Sequence, residues 1–147
     1  MAGFDIKVTP TVTAGAYSAG DIVGGLLTFT VGADKHVLLN DIVFTIKPAI
    51  TPALTIHLFD ADPTSTTKTD NAAYSLNAAD AFKLIDSLAV SATVTDHGTP
   101  NSYAIRGINK IFRPVGGAFY GLLVDGTGVT FVATTDLQIR VSGTDGV

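Results

Sequence analysis

The stretch "LFDADPTSTTKTDNAAYS", residues 58–75, holds the side chains of this chain best suited to chemistry: Asp60, Asp62 and Asp70, set among Thr and Ser. Clustered carboxylates and hydroxyls are hard oxygen donors, the ligand type that calcium takes. Asp60, Asp62 and Thr64 fall at positions 1, 3 and 5 of an EF-hand-like spacing. Ser65, however, stands where that loop requires Gly, and Asn71 where it requires a bidentate Glu. An EF-hand is excluded. A looser metal site built from Asp60, Asp62 and Asp70 remains open. The preferred reading is that Asp and Thr cap turns and satisfy backbone donors in a long connection. The segment is then an ordered loop, exposed at one end of the fold. Asp60, Pro63, Thr66, Asp70 and Asn71 are its candidate partner-contact residues.

Other chemical constellations are incomplete. His97 follows Asp96 in the turn "TDHGTPN", His57 lies on the polar side of an alternating segment, and His36 opens another. No two share a metal-ligand spacing, and there is no G-x-S-x-G elbow. The expectation is a protein without catalytic residues and without a cofactor. The "VGG" runs at 23–25 and 115–117 lack the strand–turn–helix setting of a phosphate loop and mark bulges, turns or close backbone approach. Tyr17, Tyr74, Tyr103 and Tyr120 are candidates for a sugar-stacking platform, although Trp is absent and core use is commoner.

Composition sets the elements that must carry these residues. All thirteen acidic residues are Asp, and Glu is absent. Glu favours helices whereas Asp favours caps and turns, so long surface helices are disfavoured. Twenty Thr beside many Val and Ile suit pleated surfaces. With 147 residues the chain fits one domain, 1–147, able to bury a core without cysteine, of which it has none. Net charge is −4, and the nine Lys and Arg are scattered singly, which speaks against a nucleic-acid surface. Mean hydropathy is +0.39, high for a soluble domain. Even so, no uncharged run reaches the roughly 20 residues that span a bilayer, so no membrane segment is expected. "MAGFDIKVTP" shows no basic region followed by an apolar one, so no secretory leader is expected either. So apolar a chain is expected to hide surface against copies of itself or a partner.

Period-two alternation recurs along the chain. Phe4, Ile6 and Val8 share a face. So do Ile42, Phe44 and Ile46, then Leu54, Ile56 and Leu58, then Leu88, Val90, Ala92 and Val94, and finally Leu137, Ile139 and Val141. Residues 22–31 and 118–125 are apolar on both faces and belong in central or covered positions. Further strands are expected at 102–108 and 129–133. "NAADAFKL", residues 77–84, predicts one short helix with Asn77 as N-cap and Asp80 in its first turn. Together these give an all-β fold, an antiparallel β-sandwich of jelly-roll type with eight or nine strands and one short helix near 77–84.

Three segments together, "YSAGDIVGGLLTF", "LTIHLFDADPTSTTKTDNAAYSLNAADAFKLI" and "VGGAFYGLLVDGTGVTFVATTDLQIRVSG", resemble small structural proteins encoded in tailed-bacteriophage head gene clusters. The resemblance spans about residues 16–143. It rests on Tyr17, Gly20 and Asp21 before the second strand, on Phe59, Asp60, Pro63, Asp70, Asn71 and Ala72 in the long loop, and on Tyr120, Leu122 and Leu123. "KPAITP" at 47–52 departs from the pattern, so a docking surface does not transfer. The resemblance implies a capsid decoration, or cement, protein at the virion surface. Its partners would be the major capsid protein of the phage head and itself, as a homo-oligomer with a trimer favoured over a dimer. The alternatives are a head-fibre or tail adhesin module binding host-surface glycan, and a secreted carbohydrate-binding module.

Overall fold

The structure, a computed structural model, describes residues 2–33, 35–90, 94–98 and 100–146. Ten strands form: β1 (Ala2–Val8), β2 (Ile22–Thr30), β3 (Val37–Ile46), β4 (Leu54–Phe59), β5 (Leu84–Ala89), β6 (Val94–Asp96), β7 (Asn101–Ile105), β8 (Lys110–Phe112), β9 (Ala118–Asp125) and β10 (Leu137–Asp145). One sheet runs β1-β10-β3-β7-β6, with β8 also on β3; the other runs β2-β9-β4-β5. Every pairing is antiparallel. The pairs are nested: β1 with β10, β2 with β9, β3 with β7, and β4 with β5. A long antiparallel ribbon has been rolled so that successive strand pairs alternate between sheets, which is the jelly-roll connectivity.

Inward residues of the two sheets make the core. Ile42, Phe44 and Ile46 of β3, Leu54, Ile56 and Leu58 of β4, and Leu137, Ile139 and Val141 of β10 are all buried, as the alternation predicts. Phe29 of β2 packs on Phe119 of β9, with ring centroids 4.9 Å apart. β9 is central, between β2 and β4. β2 lies at a sheet edge, and its second apolar face is covered by the chain's own 60–83 loop. There Ile22, Phe59 and Leu122 form a small outer cluster with Leu26, Tyr74, Leu76, Leu84 and Tyr120. Part of the excess hydropathy is therefore hidden within one chain.

Several expectations need correction. Among the described residues the strands number ten, not eight or nine. β8 is too short for its alternation to register, lying between Asn109, whose φ is 51°, and Pro114. The 87–96 run is split: β5 and β6 belong to different sheets, because the chain crosses between layers there. Ala92 and the Val94 side chain lie outside the described residues. Residues 129–133 make no strand, only an isolated Ala16–Thr130 bridge. Their amides are taken: Val129 N–H donates to Asp125 Oδ2 at 2.5 Å, and Val132 and Ala133 donate to Asp136 Oδ2 at 3.0 and 2.8 Å. The short helix is 3-10, over Ala78–Lys83, with Asn77 capping as predicted through its Oδ1 to Ala79 N–H at 2.9 Å. The Leu84 amide closes on the Ala81 carbonyl and β5 begins at once, which leaves no room for an α-turn.

The first "VGG" run is a bulge, where the β2–β9 register shifts between Val23 and Leu26. Gly24 has φ +78°, and a Cβ there would meet Pro10 at 2.6 Å. Only glycine fits.

Candidate functional site

The long connection between β4 and β5 is an ordered structure held by its own carboxylates. Asp70 is the hub. Its Oδ1 accepts from the Tyr17 hydroxyl at 2.7 Å and from Gly24 N–H at 2.6 Å, and its Oδ2 accepts from the Thr13 hydroxyl at 2.7 Å. Thr13 N–H in turn donates to the Tyr17 hydroxyl at 2.7 Å. Burial, then the hydrogen bond to Asp70, pushes the Tyr17 phenol well above its usual range. The loop also pairs with the edge of β2, since Asn71 N–H donates to Ile22 O and Ile22 N–H to Ala72 O, both at 2.8 Å. Asn71 holds φ 59°, a conformation Asn tolerates better than most residues.

The Tyr17, Gly20 and Asp21 motif acquires its physical role here. Tyr17 reaches Asp70, Gly20 N–H donates to Asp125 O at 2.6 Å, and Asp21 Oδ2 accepts from Ser18 N–H at 2.8 Å. The turn thus ties the β1–β2 connection to the loop and to the end of β9.

A second hub went unpredicted. Asp80 is completely buried. It accepts from Ser65 N–H and the Thr66 hydroxyl, each at 2.8 Å, and pairs with Lys83 Nζ at 2.7 Å. Burial works to raise its pKa, but the hydrogen bonds from Lys83, Thr66 and Ser65 prevail and hold it at about 2. The sequence signal was the Asp80–Lys83 spacing, which reads equally well as a surface helix pair.

The structure separates the three loop aspartates. Asp70 is spent on Tyr17, Thr13 and Gly24, and Asp62 pairs with Lys68 at 2.8 Å. Asp60 is half-buried, and burial pushes its pKa up. Among the described residues no three His or Asp side chains gather in a metal-holding group. Of the candidate contact residues, Pro63 and Thr66 are buried, Asp60 and Asp70 are intermediate, and Asn71 is exposed.

The histidines lie apart from one another. His57 stacks on Tyr74 (centroids 4.3 Å, interplanar 10°) and shares a 2.7 Å hydrogen bond with Ser87 Oγ; burial lowers its pKa. His97 Nε2 lies 2.9 Å from Ser102 Oγ. Tyr74 is thus part of the loop's cover over the sheet, while Tyr17 and Tyr103 are buried.

What the loop does present is apolar. Asp60 N–H donates to Lys83 O at 3.0 Å, and Val115 N–H donates to Asp60 O at 2.7 Å. Lys83 and Val115 are therefore strand-like neighbours on either side of Asp60. Phe82 is fully exposed at 101% and Val115 is 63% exposed. Two large apolar side chains bracket the end of β4, and sequence reasoning missed both, because neither "AFKL" nor "RPVGG" carries a local signal of which side chain meets solvent. At the opposite end of β4 an open cleft of about 440 Å³ lies between residues 49–52 and 127–130. Two of its polar groups are used internally: Ile50 O accepts from the Tyr103 hydroxyl, and the Thr127 hydroxyl donates to Asp125.

No protein-family model matches this chain, and no curated protein matches it.

Proposed function

We propose that this chain is a non-enzymatic structural protein of the capsid-decoration kind, attaching to a phage head through the end of the sandwich that carries Phe82 and Val115. The observation that carries the reading is Phe82: a fully exposed aromatic on a capped 3-10 turn whose neighbour Asp80 is locked by three hydrogen bonds. Exposed aromatics on rigid supports are the usual anchors of protein contacts. The resemblance to phage head proteins supplies the partner, the major capsid protein, and the setting, the virion surface. Decoration works by linkage, in that a protein binding the mature shell better than a disrupted one stabilises the shell. Many copies, or linked copies, gain attachment through effective concentration.

The test uses particles stripped of the protein. Re-addition should restore heat resistance and saturate at fixed copies per shell. Phe82→Ala should melt like the parent, because the residue touches solvent only, while losing about 2 kcal/mol of attachment, roughly 30-fold. Stripped particles that resist heat unchanged but fail to bind host cells would replace this reading with the adhesin one.

A further inference from the structure

The free edge of β1 carries a pattern that fits one occupant, a second copy of itself. Among the described residues β1 pairs with β10 alone, so its other edge presents unpaired backbone groups. The edge of β2 next in the chain is closed by the 70–73 segment through Ile22, Asn71 and the Asp21–Ala73 bridge. Inward residues of β1 are also incompletely covered. Phe4, Ile6 and Val8 are half-buried, whereas their register partners on β10, Val141 for Ile6 and Ile139 for Val8, are fully buried.

We propose that two β1 edges pair antiparallel about Ile6, joining the larger sheets of two copies across a twofold axis. In that register Ile6 faces the partner's Ile6 on the axis, while Phe4 faces the partner's Val8 and Asp5 the partner's Lys7, these last two pairs each repeated by symmetry. The sequence "FDIKV" is self-complementary in this sense, apolar against apolar and acid against base. An edge lysine ordinarily guards against strand addition. Here the guard is answered by the acid two residues before it. Lys7 needs such a partner: across β10 it stands opposite Arg140, a like charge, and no described carboxylate lies within ion-pair distance of its ammonium. Asp5 is held ionised with both carboxylate oxygens on the Arg140 guanidinium of β10, so the incoming Lys7 would join that ion pair as a third charge. Pro10, lacking an N–H, ends the seam. The proposed register gives a twofold pair rather than the threefold assembly that the resemblance implies.

The test is light scattering on the isolated protein over a dilution series, with far-UV circular dichroism and melting as controls for folding. The parent should show twice the chain mass. Lys7→Asp sets two like-charge pairs across the seam and should weaken association roughly 10-fold or more. Lys7→Gln, which cannot harm the fold by repulsion, should weaken it less. Asp5→Lys alone should also dissociate, and an equimolar mixture of Lys7→Asp with Asp5→Lys should recover the double mass, since opposite charges again face each other. A parent that stays at single mass, a three-copy mass, association indifferent to Lys7→Asp, or folded variants that fail to recombine would each overturn the seam. No shell enters this measurement, so its failure and a failure of attachment to capsids are separate results.

Discussion

Replacing Asp70 by Ala probes the loop at its strongest point. The carboxylate takes three donors, from Tyr17, Gly24 and Thr13, at 2.6–2.7 Å. Tyr17 is only 4% exposed, so its hydroxyl cannot turn to water, and Gly24 is fixed in the β2 bulge. Thr13 is less buried, and its hydroxyl can find solvent. Counting the two enclosed donors at about 1.5 kcal/mol each, the lower end for bonds to a charged acceptor, gives a loss of about 3 kcal/mol. For a domain of this size that lowers the melting temperature by about 10 °C. Asp70→Asn keeps an oxygen for Tyr17 and Gly24 and should cost about 1 kcal/mol. Calorimetry gives the totals, and hydrogen exchange should show lost protection at Asn71 and Ile22, whose amides pair loop with strand. An Ala variant melting within ~2 °C of the parent would refute the hub. Calcium gives the second arm. A carboxylate already saturated by three protein donors should leave the parent melting temperature unchanged by calcium or chelator, and a large calcium-dependent rise would instead revive the metal reading of Asp60, Asp62 and Asp70.

The facing of β10 is checked by a pair of substitutions. Ile139→Asp, at a fully buried site, should cost roughly 4 kcal/mol or more, while Gln138→Asp on the exposed face is tolerated; equal melting would show the assignment wrong. Acid should act on the Asp80 hub. Its folded pKa, about 2, lies below the ordinary 3.8, so the unfolded chain takes up the proton first. The contribution is complete above about pH 4 and is lost as pH falls toward 2. Urea midpoints for Asp80→Asn should fall less steeply over that range than those of the parent, and parallel profiles would count against the hub.

Legibility in the sequence followed the range of the interactions. β3, β4 and β10 were readable because alternation is a local signal and each strand sits in one sheet with one buried face. The 87–96 run alternates just as regularly, yet nothing in alternation says which sheet a residue joins, so the crossing between β5 and β6 was invisible. Asp70 was identifiable as a turn-capping residue, but its donors lie 46 to 57 residues away, and only the fold brings them together. Phe82 was not singled out at all, since nothing local in "NAADAFKL" says which side chain of so short a turn meets solvent.

The absence of Glu finds its reason in the same contacts. Asp125 is completely buried and accepts from Thr127 N–H, the Thr127 hydroxyl, Gly128 N–H and Val129 N–H, all within four residues of itself. Asp136 reaches back to Val132 and Ala133, and Asp21 to Ser18. Such bonds need a carboxylate one methylene from the backbone, and the extra methylene of Glu would carry it past amides only two to four residues away. Asp21, Asp125 and Asp136 fix the loops at one end of the sandwich, and Asp80, beside Phe82, fixes the long loop at the other. A segment ordered before it meets a partner loses less entropy on binding than one that must be ordered by it. Of the aspartates that first suggested a metal site, Asp70 ties the long loop to Tyr17, Thr13 and Gly24, while a different carboxylate, Asp80, orders the turn that carries Phe82.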